Sequence, residues 1–317
     1  MFMVFAASLF SAGIACAQNY PSRPVKVIVP WPPGQATDIV TRIVAEKLQE
    51  ALGQPFVIDN KSGASGTIGT IAVVNSPPDG YTLLAASSGP VTILPVVQKL
   101  SYDPLIDLAP VSLTATGGFV LVTNPSFPAS NAREFVALLR ANPEKYTFAS
   151  SGMGSTSHLV IELFNSMAQV KTRHVPYKGS APGLTDVMNG QVAYTLETVA
   201  SVIGHVRSGR LKAFGLSSKQ PTAVMPELQS LAVAADLPDY DIGGWIGFAA
   251  PRGTPQQITS RISQEIQRIV QIPDVKERFL SFGQTATANS PDEMAVFIRG
   301  QQERFAAIAR TANIRLD

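Results

Sequence analysis

Ser155, Thr156 and Ser157 follow Gly152 and Gly154 and precede the apolar positions Leu159, Leu163 and Phe164. Glycine permits backbone angles that other residues avoid, and hydroxyl residues ahead of an apolar helical face are N-cap candidates. The stretch from Phe148 to Phe164 therefore reads as a strand end, a turn and the start of a helix. Such a start presents unpaired N–H groups and a partial positive charge, which suit a carboxylate, a phosphate or another small anion. An ordinary capped helix that binds nothing fits the same residues.

Other constellations point away from catalysis. The histidines are His158, His174 and His205, and the only cysteine is Cys16, so no His/Cys spacing suggests a metal site. Ser155 and His158 share a helix face, but there is no G-x-S-x-G elbow and no third member of a triad. The loop Gly63-Ala64-Ser65-Gly66-Thr67-Ile68-Gly69 lacks the Lys-Ser/Thr ending of a phosphate loop and the G-x-G-x-x-G spacing of a dinucleotide site. It suits a carboxylate at a helix start with fewer assumptions. Asp38 and Arg42 read as a local i,i+4 ion pair, with Asp38 ordering the loop before it. Trp31, in a loop between prolines, leans towards a cleft wall. Glu197 ends an apolar run, where it either receives a ligand amine or hydroxyl or caps the following helix.

The elements that position these residues repeat one grammar. Val25 to Val29 is an apolar run of the buried parallel-strand type, followed by a Pro/Gly loop and a helix capped at Thr37 or Asp38 and ended by Gly53. Phe56 to Ile58 leads into the Gly63 loop and another helix, and Tyr81 to Ser87 ends in Ser88-Gly89-Pro90. A second series starts at Phe119 to Thr123. It continues through a helix boxed by Asn131 and Glu134, the Ser155 stretch, Arg173 to Tyr177, and strands at 191–197 and 211–217. Gly243 to Ala250 is again a strand ending in proline. Helices follow at 255–271, 274–281 and 291–312, the last boxed by Ser290 and Glu293. Alternation of this kind predicts two doubly wound α/β lobes flanked by helices, with ligands at the carboxyl edges of the strands.

The chain has 317 residues, enough for two domains, a formal net charge of +2 and a charged fraction of 15%. That leaves no basic footprint for nucleic acid. Within Met1 to Ala17, Phe2 to Ile14 is almost wholly apolar and is followed by Ala15-Cys16-Ala17; the segment reads as a secretory signal cleaved after Ala17, although no Lys or Arg precedes the apolar run. Lipidation of Cys16 is the lesser alternative.

Five motifs occur in order: Pro30-Trp-Pro-Pro-Gly-Gln-Ala-Thr-Asp38-Ile-Val-Thr-Arg42, Asn60 to Gly69, Pro78 to Leu83, Gly152 to Leu159 and Val175 to Ser180. Together they resemble the Bug family, the solute-binding proteins of tripartite tricarboxylate transporters. Departures from the family pattern are Gln35 after Gly34, Thr41, and Glu197 where Asp is common. The resemblance implies a type II periplasmic binding protein with two lobes, two crossover strands and a cleft between them. It implies a monomer exported to the periplasm that binds a di- or tricarboxylate, an amino acid or an aromatic acid, uses no cofactor or metal, and delivers its ligand to membrane permease subunits. A sensing adaptor for a two-component kinase is the alternative. By position, Trp31, Gly34, Thr37, Ala64, Ser65, Gly66, Gly154, Ser155 and Thr156 would hold carboxylates, with Ser87, Ser88, Tyr177, Gly179, Ser180 and Glu197 completing the wall. Expected boundaries are 18–121 with 249–317 for the first lobe and 122–248 for the second. Hinges are expected near Val120 to Asn124 and Ile246 to Ala250.

Overall fold

The computed structural model describes residues 20–311; the expected signal segment, with Cys16, lies outside them. The chain opens with β1 (Val25–Val29), α1 (Ala36–Leu52), β2 (Phe56–Asn60), a short turn of helix at Ala64–Gly66, α2 (Thr67–Val74) and β3 (Thr82–Ser87). A helical stretch then runs from Gly89 into α3 (Leu94–Val97), followed by α4 (Pro104–Asp107) and β4 (Leu108–Gly117). The next series is β5 (Phe119–Thr123), α5 (Ala132–Ala141), β6 (Thr147–Ser150), α6 (Thr156–Ala168), β7 (Arg173–Pro176), α7 (Ser180–Met188), β8 (Tyr194–Thr198), α8 (Val199–Arg207), β9 (Lys212–Leu216) and α9 (Leu231–Ala234). The chain returns through β10 (Gly244–Pro251), α10 (Gln256–Ile269), α11 (Pro273–Ser281), β11 (Gln284–Ala286) and α12 (Pro291–Thr311).

These strands form two mixed sheets, ordered β11-β4-β10-β3-β1-β2 and β7-β6-β8-β5-β9. In the first, β1 is parallel to β2 and β3, while β10 runs antiparallel between β3 and β4. In the second, β6 is parallel to β7 and β8, while β5 runs antiparallel between β8 and β9. Helices cover both faces of each sheet. Ile43, Val44, Leu48, Ile262, Ile266 and Phe279 pack one face of the first, and Val73, Met294 and Ile298 the other.

The chain changes sheet at Gly117-Gly118 and at Gly243-Gly244, side by side: Gly244 pairs with Gly117 across the ladder. A Cβ on Gly243 would come within 3.1 Å of the Gly117 carbonyl oxygen. This differs from the expectation that the changeover and the hinges lie inside 120–124 and 246–250. Val120 to Thr123 and Ile246 to Ala250 sit in paired strands, so bending there would break ladder hydrogen bonds, and β5 belongs wholly to the second sheet and β10 wholly to the first. The cores are not fully separate either. Ile93, Leu94 and Val97, from the helical stretch after β3, and Phe305 and Ala309 of α12 share one apolar cluster with Phe135, Phe148, Phe164 and Tyr194 of the second lobe.

The helix signals read from sequence find their partners. Glu134 N–H donates to Asn131 Oδ1 at 3.0 Å, with the Glu134 side chain reaching back to the Ser130 N–H at 2.7 Å. Ser290 and Glu293 form the same box ahead of α12, and Gly53 ends α1 at φ 74°. One start shifts: α1 begins at Ala36, with Gln35 as its N-cap residue rather than Thr37 or Asp38.

Candidate functional site

Between the lobes lies a cavity of about 70 Å³. Four helices start at its edge. Ala36 and Thr37 begin α1, Thr156 and Ser157 begin α6, Ser180 begins α7, and Thr198 immediately precedes α8. Three of these starts, those of α1, α7 and α8, have no side chain capping their N–H groups. Each helix N-terminus carries the equivalent of roughly half a positive charge. Ser87, Ser88, Ser151 and Ser201 add hydroxyls, Gln35 and Gln284 add amides, and Trp31, Phe119 and Trp245 supply apolar wall. No lysine, arginine or histidine lines the cavity among the described residues. Positive potential there comes from backbone.

The wall is held from behind. Trp31 Nε1–H donates to Ser87 Oγ at 2.9 Å, and the Trp245 N–H donates to Ser88 Oγ at 2.8 Å. The Trp31 loop is ordered by Asp38: its carboxylate accepts from the Gly34 N–H at 2.9 Å, from Arg42 Nε at 3.0 Å and from Asn60 Nδ2 at 2.9 Å. Asn60 Nδ2 in turn reaches the Trp31 carbonyl at 3.0 Å. Burial works against the Asp38 charge, but the bonds from Arg42, Gly34 and Asn60 outweigh it and hold the carboxyl below its ordinary range. The expected role of Asp38 as an organiser of this loop is thus what the geometry shows.

The fifteen candidate residues divide by position. Trp31, Thr37, Ser87, Ser88, Thr156, Ser180 and Glu197 line the cavity. Ala64, Ser65, Tyr177 and Gly179 line a separate outer opening of about 520 Å³, which shares Trp31 and Ser151 with the inner one. Gly34, Gly66, Gly154 and Ser155 line neither. The Gly34 N–H is spent on Asp38, and the Gly154 N–H on His158 Nδ1 at 3.1 Å. Gly66 packs against Pro90, which a Cβ would meet at 3.0 Å. Ser155 is fully buried, and its hydroxyl accepts the His158 backbone N–H at 3.3 Å as the α6 cap.

Sequence reasoning missed Gln35, Phe119, Ser151, Thr198, Ser201, Trp245 and Gln284. Thr198 ends β8 and Ser201 lies in the first turn of the helix after it, so strand-end position alone was a usable signal. Gln284 carried none.

The imagined Ser155–His158 pair does not form, since Ser155 meets the backbone of His158 and not its ring. His158 stacks on His174 at 4.0 Å between ring centroids. Burial, with His158 adding to it, lowers His174 to about 3, so the His174 ring is neutral and serves as packing. Among the described residues no group of three or more His, Cys, Asp or Glu side chains could hold a metal. No helix there is long and apolar enough to cross a membrane.

The lobes touch around the cavity. Gln35 Nε2 donates to Ser180 Oγ at 3.3 Å, and Ser65 Oγ donates to the Met153 carbonyl. Two α/β lobes, crossed twice by the chain and closed over a polar cavity, define a periplasmic binding protein of type II. The chain belongs to the TctC family, described as tripartite tricarboxylate transporter family receptor, whose model matches residues 40–314. It is 36% identical over 311 residues to protein BugT of Bordetella pertussis, spanning 96% of this chain and 95% of that one. Among solved structures, R. palustris Rpa4515 with adipate has a TM-score of 0.90 at 31% identity, covering 93% of this chain and 99% of its own. MatC from Rhodopseudomonas palustris with bound malate has a TM-score of 0.85 at 29% identity, covering 91% and 99%. The family's members are periplasmic solute-binding receptors rather than enzymes.

Proposed function

We propose that this chain captures a small organic carboxylate between its lobes and delivers it to the membrane subunits of a tripartite tricarboxylate-type transporter. One observation carries the reading: four helix N-termini meet at a hydroxyl-lined cavity that has no cationic side chain among its lining residues. Free backbone N–H groups with a positive dipole suit carboxylate oxygens. At roughly half a charge each, four termini offset about the charge of a dicarboxylate. Thr37, Ser87, Ser88 and Thr156 then hydrogen-bond the ligand, the Ser180 hydroxyl donates to Glu197 instead, and Trp31, Phe119 and Trp245 flank the ligand's carbon chain. Ala64, Ser65, Tyr177 and Gly179 form the entrance. Bending at the paired glycines opens the cleft, and ligand favours the closed form to the extent that it binds that form better. The relatives solved with adipate and malate support a dicarboxylate. Thermal denaturation against a panel of mono-, di- and tricarboxylates, amino acids and aromatic acids tests the reading. A bound acid at 100 times its dissociation constant adds about 2.7 kcal/mol of stability; no shift with any member would refute it.

A further inference from the structure

The cavity's ionisable lining residue is an acid. Glu197 sits near the end of β8, is 3% exposed and borders the cavity. Ser180 Oγ donates to its Oε2 at 2.8 Å, yet its Oε1 is buried with no hydrogen-bond partner among the described residues. A buried carboxylate oxygen without a donor carries its full desolvation penalty. No nearby cation relieves it. The elements packed on β8 carry His158 and Glu162 on α6, Asp186 on α7, and His205 and Arg207 on α8, with no charge on β5 or β6. None of these groups is a cause of its shifted acidity; burial is the largest, opposed by the Ser180 and Ser157 hydroxyls and the Thr198 backbone. Oε1 itself is bonded to none of these groups, and the cavity that Glu197 borders is where a ligand can bring it a donor.

We propose that Glu197 is a specificity determinant: it selects, among small carboxylates, those whose carbon chain also carries a hydrogen-bond donor, an ammonium or a hydroxyl, set against Oε1. The helix N-termini hold the carboxylate and Glu197 holds the donor. An ionised Glu197 repels a carboxylate placed beside it, so acids that are ionised throughout and carry no donor are disfavoured. The inference rests on the reading of this cavity as a carboxylate site. Burial pushes the Glu197 carboxyl up to about 7, which gives the selection a pH dependence. Above that value the ionised group demands a donor from the ligand. Below it the protonated group donates, and a plain diacid becomes acceptable.

Calorimetric titration of the purified protein with succinate, malate and aspartate, and with adipate, 2-hydroxyadipate and 2-aminoadipate, separates the possibilities. At pH 8 the donor-bearing acids of the chain length that binds should exceed their parent by about tenfold or more, as expected for a hydrogen bond to a charged group. Comparing the amino with the hydroxy acid shows which donor is used. Glu197→Gln should reduce the preference for the amino acid about tenfold and tighten the parent diacid. At pH 5.5 the wild-type preference should shrink towards that of the variant. Glu197→Asp keeps the charge and should keep the sign of the preference; with the wild-type pH series it decides the matter even if the Gln variant fails to fold. A parent diacid that binds wild type at pH 8 as tightly as its donor-bearing partners overturns the proposal, as does an unchanged ratio in Glu197→Gln. If every acid is silent, the carboxylate reading itself fails and this inference falls with it, an outcome distinct from equal binding of all.

Discussion

Replacing Gly283 by alanine tests whether binding depends on the lobes meeting as they do here. Gly283 lies between α11 and β11 at φ 67°, and a Cβ there would stand 2.3 Å from Cγ1 and 2.4 Å from Cβ of Val199. Val199 begins α8 in the other lobe, beside the cavity, so the collision exists only when the lobes are closed. Two costs separate cleanly. A left-handed alanine costs about 1 kcal/mol in any arrangement of the lobes, which lowers the ligand-free melting point by about 1–2 °C in a chain of this size. Overpacking at the junction adds about 1–3 kcal/mol against closure, a loss of roughly 5- to 150-fold in affinity. The second-site test is sharper. Val199→Ala removes Cγ1 and Cγ2 but leaves the Cβ that stands at 2.4 Å, so it should not restore affinity to Gly283→Ala. Val199→Gly should. Calorimetry with an acid that binds wild type reads both. Wild-type affinity in Gly283→Ala, or equal rescue by the two Val199 variants, would refute the reasoning.

Two further substitutions report on the site. Glu197 has its folded carboxyl raised from 4.5 to about 7, so the stability it contributes is present below pH 4.5 and lost as pH rises through about 7. At 1.36 kcal/mol per unit the loss is about 3 kcal/mol. Denaturant titrations of ligand-free protein at pH 5 and pH 8 should show Glu197→Gln more stable than wild type at the higher pH only; a wild-type slope in the variant would contradict this. Ser155→Ala should lower stability by about 1 kcal/mol through loss of the α6 cap and leave affinity nearly unchanged, because the hydroxyl faces the His158 N–H. A large affinity loss without a fall in melting point would instead put the anion at Ser155.

Much of this was legible because local chemistry announces itself. The capping boxes at Asn131 and Ser290 and the glycine after α1 are short-range signals, and they survived folding. Strand β4 was not read at all. It carries Pro110 and places Ser112 and Thr114 at fully buried positions, which breaks the apolar pattern of a core strand. The fold satisfies those hydroxyls at long range: Ser112 donates to the Asn289 carbonyl at 2.8 Å and Thr114 to that of Ile246 at 3.1 Å. With β4 unread, β11 and its Gln284 were out of reach, and so was the glycine pair where the chain changes sheet. Gly34, Gly154 and Ser155 show the opposite limit. A glycine or serine at a helix start looks the same whether its N–H groups face a ligand or the chain's own Asp38 and His158. Only the assembled loops distinguish the two.

The claim that a carboxylate is bound between the lobes meets its most direct test in calorimetric titration of wild type and Thr37→Asp with adipate and malate. Thr37 is buried at the start of α1 and lines the cavity, so an aspartate there puts a negative charge where the ligand's own is held. Saturable one-to-one binding by wild type, lost in a folded Thr37→Asp, is the predicted result. Silence of wild type towards both acids, or undiminished affinity in Thr37→Asp, would contradict the account.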